Sequence, residues 1–531
     1  MNRASRMPKV LLFLRFLLIS IAAIGASNTS DALECEPATF GEKSLFWGDL
    51  HVHTSYSLDA NVYGTLASPA DAYRFAKGAP MTRADGSIVQ LARPLDFVAV
   101  TEHAEWLDFT SLCDNKHTKH LPDCDNLVSN RSPGGGPKLF GQYVVSSIAG
   151  PAPEPLTPCS EDPQMCRSAA LDRWQSIQEQ TNAAYEPCKF TTLHGYEWSH
   201  TPDYRHAHRN VIFRSDAVTE HAIDYINYPT VSALWSALDQ MCSPEDGCDA
   251  LTIPHNTNMG DGISFEILES NPTELSQRAR YERLIEITQE KGTSECLPQY
   301  GTDGTGDCDF ELYLTRKSRP TEPDDYSKKE WQDMRSSYAR SLVGRGLAFT
   351  GNASPLRLGF IGSTDTHSAT PGYVDEHVWS GSVFGGSGFD GAMLRKNWSA
   401  GGLVGVWATE NTREAIFDAL HRRETYATSG PRIGLRFGVD DEERSSCDTN
   451  EWRPQVNMGQ VSEMKAPPTF AVQVQTDTAP IATIEMIKIT RGHSKINEEV
   501  IQIWMETDAS MTRCVSWRDT KFEPTIPPLW Y

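Results

Sequence analysis

The sequence predicts an α/β protein whose reactive side chains gather where strands end, followed by a smaller antiparallel β domain. Three observations carry this. Short apolar runs such as "LDFVAV" and "DALTIP" lead directly into His, Glu or Asp. Helical patterns lie between those runs, and strands alternating with helices argue for βα units with sites at the strand C-termini. Beyond about residue 432 the texture changes to period-two alternation, as in "TFAVQVQ" and "IEMIKITRG", which reads as antiparallel strands.

Taken in order, "SLFWGDLHVH" is a short buried strand ending in a polar turn, and "PADAYRFAKGAP" a helix stopped before Gly78 and Pro80. "LDFVAVTEHAEW" is a second strand. Residues 110–165, rich in Pro, Gly, Cys and Asn, read as a long disulfide-tied insertion. "AALDRWQSIQEQTNAAY" is an amphipathic helix. Strands then run into Glu197, begin at "HAHRNVIF", end at His255, cover "YERLIEITQE" and end at Asp365 and His367. A second polar insertion spans about 292–330. "NTREAIFDALHRRETYATSG" is a helix with Asn411 as its N-cap and Glu414 three residues on, closing before Gly430. The expected domains are residues 44–432 and a β-rich 433–531, with Cys447 and Cys514 placed to tie the ends of the latter.

The 531 residues carry a formal net charge of -22, the opposite of a nucleic-acid binder's basic footprint. Arg3, Arg6 and Lys9 precede the apolar run "VLLFLRFLLISIAAIGA". This is the pattern of a cleaved secretory signal over residues 1–26. Arg15 interrupts the run, which is too short to be a comfortable span, so no membrane span is expected in the mature chain. The 12 cysteines fit disulfides in a periplasmic or secreted protein. Their pairing is left open by the sequence, and "CDNKHTKHLPDC" leaves a structural zinc site as the alternative.

Five strand ends offer metal-ligating groups: His51 and His53; His103 after Glu102; Glu197; His255; and Asp365 with His367. His206 or His208 adds another. Residues i and i+2 of a strand share a face, so His51 and His53 can aim at one point. Any single group has a dull explanation as a cap, a turn or a surface residue. Five strand ends in series are a poor coincidence. Imidazole and carboxylate suit zinc, manganese and iron, and more ligands than one tetrahedral ion needs imply two or three ions.

This ordered set resembles the PHP superfamily, named for polymerase and histidinol phosphatase domains. "HVHTSYSLD" is similar to its first motif, "TEHAE" to the second with Glu102 in place of the usual Asp, "IPHNTN" to the third and "STDTH" to the fourth. The long insertions with "GYEWSH", "HRNVIF" and "RRETYATSGPRI" look closer to a PHP-like family of exported bacterial proteins of unknown function. The resemblance implies a distorted seven-stranded (β/α) barrel over about residues 44–432, with a multinuclear site at the strand C-termini. By motif, one ion takes His51, His53, Glu197 and Asp365. A second shares Glu197 and adds His255 and His208, the latter preferred to His206 because it leads into "RNVIF". A third takes His103, His367 and Asp59, the three residues to which a catalytic role is carried over.

The expected activity is hydrolysis of a small anionic ester, foremost a phosphoester, by metal-activated water. An amide, lactone or sulfate ester is the alternative bond, and a non-catalytic metal- or partner-binding protein the alternative class. Arg205, Arg209 and Arg432 are weak candidates for holding a phosphate.

Overall fold

The first strand, Ser44–Asp49, runs parallel to Phe97–Ala99, and that strand parallel to Thr191–Leu193. On its other edge Ser44–Asp49 pairs antiparallel with Leu403–Ala408, which pairs in turn with Thr425–Thr428. The computed structural model describes residue 35, residues 43–522 apart from 267–270, 299–307, 309–310, 314–326, 350–353, 383, 385–397, 441–445, 448–451, 492–495 and 506–509, and residues 529–530. The expected export signal and most of the second insertion lie outside the described residues.

Leu50, Phe97, Ala99, Leu193, Val404 and Val406 are fully buried. This is why these runs read as continuous hydrophobic stretches rather than as alternation. The helix Pro163–Ala184 packs on Leu107–Asp114 and Pro69–Ala76, and Arg413–His421 packs on Leu403–Ala408.

A second sheet holds Gly195–Trp198, Arg209–Phe213 and Ala250–Pro254, all antiparallel. The parallel arrangement expected throughout fails here. The link 199–208 is shorter than the dozen or more residues a parallel crossover needs. In a third sheet Leu284–Gln289 is parallel to Gly359–Gly362 and antiparallel to the short Gly292–Thr293.

Just beyond the strand ends, single bridges join the sheets, Val52 to Thr366 and His103 to Glu197. Among the described residues no ladder joins Ala250–Pro254 to Leu284–Gln289. The architecture is therefore mixed α/β in several sheets, not the closed seven-stranded barrel expected. Strands of three to six residues have little length over which to close a ladder.

The insertion at 110–165 is helical where loops were expected: Pro122–Asn130, Gly136–Leu139 and Thr157–Glu161 follow Leu107–Asp114. Pro122, Pro158 and Pro163 sit in first turns, where a missing N–H costs nothing. They start helices rather than break them.

Six disulfides link Cys35–Cys188, Cys113–Cys124, Cys159–Cys166, Cys242–Cys248, Cys296–Cys308 and Cys447–Cys514. The zinc alternative at 113–124 falls, because its two sulfurs are bonded to each other. Thr412, not Asn411, caps Arg413–His421 by accepting from Ala415 N. Asn411 instead donates to the carbonyls of Asp96 and Lys189.

The C-terminal part is β-rich as expected. Gly434–Asp440, Val456–Asn457, Thr469–Gln475 and Thr512–Arg518 form one antiparallel sheet. Thr483–Arg491, Ile496–Met505 and Leu529–Trp530 form another. Phe470, Val472 and Val474 of the first pack with Ile484 and Met486 of the second.

Candidate metal centre

His51 and His53 flank Val52, whose bridge to Thr366 fixes both histidines to one side. Asp365 N donates to His51 O at 3.0 Å, and His53 N donates to Thr366 O at 2.9 Å. The two Nε2 atoms consequently lie 3.3 and 3.2 Å from Glu197 Oε2 and each 3.3 Å from Asp365 Oδ1. The same-face expectation for this pair holds in the geometry.

Glu197 is the hub. Its Oε2 also lies 3.5 Å from His103 Nδ1, and its Oε1 lies 2.6 Å from His208 Nδ1 and 3.1 Å from His255 Nε2. Asp59 makes a second hub, with Oδ2 at 2.9 Å from both His103 Nε2 and His367 Nε2. All nine residues expected at the site are thus brought together and buried. His206 stacks on His208, ring centroids 4.5 Å apart, but its ring belongs to none of the buried groupings that could hold an ion among the described residues. Those groupings are His53, Asp59, His103 and His367; His51, His53 and Glu197; Glu197, His208 and His255; and Glu290, Asp365 and His367.

Burial penalises every charge in this pocket, and the neighbours decide the outcome. Against burial, His103, His255 and His208 hold the Glu197 carboxyl well below its ordinary range. His103 and His367 do the same for Asp59, and His51 and Lys291 for Asp365. His367 is raised to about 9 despite its burial, by Asp59. His208 is lowered to about 4 by burial, which outweighs Glu197. Against burial, neighbouring carboxylates raise His51, His53 and His103 as well, so a metal binding those rings would displace their protons.

The donor set fits divalent ions. His53 Nε2 and Asp365 Oδ1 are buried, 3.3 Å apart, and among the described residues neither makes a hydrogen bond. His208 Nδ1, beside Glu197 Oε1, likewise lacks one. Leaving such groups unpaired is costly, and a shared cation satisfies acceptor lone pairs of both kinds. Asp365 has φ +55° and Asn256, directly after His255, φ +53°. Left-handed backbone at a non-glycine residue concentrates at functional sites.

Several contributors were not foreseen. Glu286 faces His51 Nδ1 with both oxygens at 3.2 Å, and Glu290 lies 3.1 Å from His367 Nδ1. Ser199 Oγ sits 2.6 Å from His103 Nδ1 and donates to Glu105. Outer carboxylates and hydroxyls so placed are of the kind that orients rings for metal ligation. Lys291 contacts Asp365 Oδ2. Of these, Glu286 lies in the buried strand within "IEITQEKG", whereas Glu290 and Lys291 lie in the turn that follows it. Glu102 is turned away, accepting from Thr54 N, Thr54 Oγ1 and Ser57 Oγ. Ser57 lies in turn 2.9 Å from His53 Nδ1.

The arginines weighed for phosphate lie elsewhere. Arg209 is buried against Glu282 at 2.9 Å. Arg432 donates to the carbonyls of Arg93 and Pro94, and Arg205 pairs with Asp203.

A family model described as "protein of unknown function (DUF3604)" matches residues 41–523. The chain belongs to the DUF3604 family. All nine site residues fall within the matched span. No curated protein matches the chain. Among solved structures it is similar to a two-domain protein from Bacteroides vulgatus described as containing a predicted PHP-like metal-dependent phosphoesterase. The identity is 12%, the TM-score 0.33, and the match covers 91% of this chain and 98% of that one. At that distance the neighbour carries no argument about this DUF3604 protein's site. Among the described residues no helix is long and apolar enough to cross a membrane.

Proposed function

We propose that this DUF3604 protein is an exported, metal-dependent hydrolase of phosphoesters that holds two or three divalent ions. The observation that carries the reading is the convergence of six imidazoles on shared, ionised carboxylates, with His53 Nε2 and Asp365 Oδ1 buried without a hydrogen bond. His51, His53, Glu197 and Asp365 would hold one ion. Glu197, His208 and His255 would hold a second, and Asp59, His103 and His367 a third. Ions bound there would supply Lewis acidity and lower the pKa of water from 15.7 towards about 7.

The protein's own groups set the approach. The side chains of His51 and His255 are 0% exposed, whereas those of His103 and Asp59 are 7% and 8% exposed. His208 is also 7% exposed, so substrate would reach the centre along the edge formed by Asp59, His103 and His208. Asp59, between His103 and His367, fixes both rings, and Glu105 does so for His103 through Ser199. The six disulfides support a periplasmic or secreted location.

A panel of chromogenic phosphate mono- and diesters, sulfate esters, lactones and amides, run beside elemental analysis, tests the reading. Turnover of phosphoesters that depends on bound metal is expected. Turnover confined to another ester class replaces the phosphoester assignment. Full metal content with no turnover of any class overturns the enzyme.

A further inference from the structure

The centre carries one cation whose role the ligand sets leave unexplained. Lys291 lies in the turn between Leu284–Gln289 and Gly292–Thr293, and its backbone is clamped there. Glu290 N donates to Thr364 O at 3.0 Å, Ser399 N to Glu290 O at 2.8 Å and Asn258 Nδ2 to Lys291 O at 3.0 Å. Gly292 follows at φ +83°, and a Cβ there would come within 2.2 Å of Glu311 O. The turn is therefore built around glycine, and it delivers the lysine to a fixed place.

From that place the ammonium contacts Asp365 Oδ2, while Asp365 Oδ1 faces His51 and His53. One carboxylate thus separates the lysine from the imidazoles. An ammonium has three donors. The Asp365 contact uses one, and Glu290 Oε1, at 3.8 Å, is too far for a second hydrogen bond. The Lys291 side chain is 13% exposed, more than those of the proposed ligands around it. Among the described residues the ammonium has no second hydrogen-bond acceptor.

The ammonium also has aromatic neighbours. Phe384 lies 5.7 Å from Lys291 Nζ by its ring centroid and 4.4 Å from the His367 ring. Trp398 stacks on Phe384 at 5.9 Å with planes 14° apart. Both rings are only partly buried. Phe384 also packs edge-on against Tyr63 and Phe140, ring centroids 5.1 and 5.9 Å away, so among the described residues Phe384 and Trp398 are the apolar edge of this cluster that lies beside the ammonium.

Resting on the phosphoesterase reading above, we infer that Lys291 binds a non-bridging oxygen of the substrate's anionic group while Phe384 and Trp398 receive a planar, aromatic organic group. The substrate class is then a phosphoester of an aromatic alcohol. Lys291 supplies local positive charge to an anion approaching a chain of net charge -22, and screening over about 8 Å confines the wider repulsion. The two rings favour an aromatic group over an alkyl one, because offset stacking adds to simple burial.

Non-hydrolysable ligands separate this from leaving-group chemistry. Inorganic phosphate, methylphosphonate and phenylphosphonate are titrated calorimetrically into the metal-loaded full chain. Phosphate binding, with phenylphosphonate at least tenfold tighter than methylphosphonate, is expected. Phe384→Ala should cut that preference below threefold. Lys291→Met should weaken all three ligands tenfold or more at unchanged metal content, and Lys291→Arg should recover most of the loss. Phosphate binding without an aromatic preference, or with one that Phe384→Ala leaves intact, overturns the inference and leaves the phosphoesterase reading standing. If Lys291→Met gains or loses an ion, or binds phosphate like the wild type, the lysine belongs to the metal cluster or to the scaffold, and its substrate role is wrong. No binding of any of the three by metal-loaded protein overturns the phosphoesterase reading itself, and the inference with it.

Discussion

Replacing Glu197 by Gln keeps the side chain's size and removes its charge. In the structure Oε1 faces His208 at 2.6 Å and His255 at 3.1 Å, while Oε2 faces His51 at 3.3 Å and His53 at 3.2 Å. An amide must turn its NH2 group towards one of these pairs. A donor cannot serve as a metal ligand, so one of the two faces is lost in either orientation. The charge matters separately. Two unit charges about 4 Å apart interact by roughly 4 kcal/mol at an effective dielectric of about 20, and a divalent ion doubles the charge on its side. The expected result is at least one ion lost per chain and turnover reduced by two or more orders of magnitude, about 3 kcal/mol or more of barrier. Metal content by elemental analysis, beside turnover of whichever ester the panel identifies, checks both. Full metal content with near-normal turnover would refute the bridging role. Glu102 could not then replace it, because Thr54 and Ser57 occupy its carboxylate, and Glu286 against His51 would be the next acid to test.

Loss of His208 should cost far more metal and turnover than loss of His206; equal costs would show that the two stacked rings act as one. Thiol titration of the denatured, unreduced protein should find fewer than one free group per chain, since the described cysteines all pair; several free thiols would contradict the disulfides. Burial pushes the Glu105 carboxyl from 4.5 up to about 7, so folding favours its protonated form and the wild type loses stability as pH rises from about 4.5 through 7. Glu105→Gln should remove that loss, on the order of 3 kcal/mol, raising the melting temperature at pH 8 relative to wild type but not at pH 4; a gain equal at both pH values would rule out titration as the cause. Exhaustive chelation should lower the melting temperature and readdition of metal restore it, by about 2.7 kcal/mol for each bound ion when metal stands at a hundred times its Kd; an unchanged melting temperature would mean that the centre folds without an ion.

What the sequence made legible follows from how locally each feature is encoded. His51 and His53 could be read as a pair because strand alternation and the Val52 bridge act over three residues. Some buried strands announced themselves as apolar runs that lead into a group of the site, as at His255 and Asp365, whereas Thr425–Thr428, expected as part of a helix, is a strand. Lys291 and Glu290 stayed hidden because they lie in a turn, where charged residues are ordinary, and only the fold reveals that this turn faces Asp365 and His367. The helices of 110–165 were hidden by their prolines, which mark loops and first turns equally well. Barrel closure was beyond reach for another reason. It depends on whether the edges of three sheets come into register, at Ala250–Pro254 with Leu284–Gln289 among others, and no single run carries that information.

The proposed number of ions rests on how the carboxylates are shared. Asp59 faces two imidazoles and Glu197 five. The two oxygens of Glu197 divide those five, with His208 and His255 on Oε1 and His51, His53 and His103 on Oε2. A single ion of four to six ligands placed on the Oε2 side leaves His208 Nδ1, already without a hydrogen bond, unpaired in a buried pocket. One placed on the Oε1 side leaves His53 Nε2 in the same condition. In the proposed reading the arrangement would be costly for one ion and balanced for two across Glu197. Asp59, with His103 and His367, then forms a separate two-imidazole, one-carboxylate set on the accessible side, where a third ion would meet the substrate.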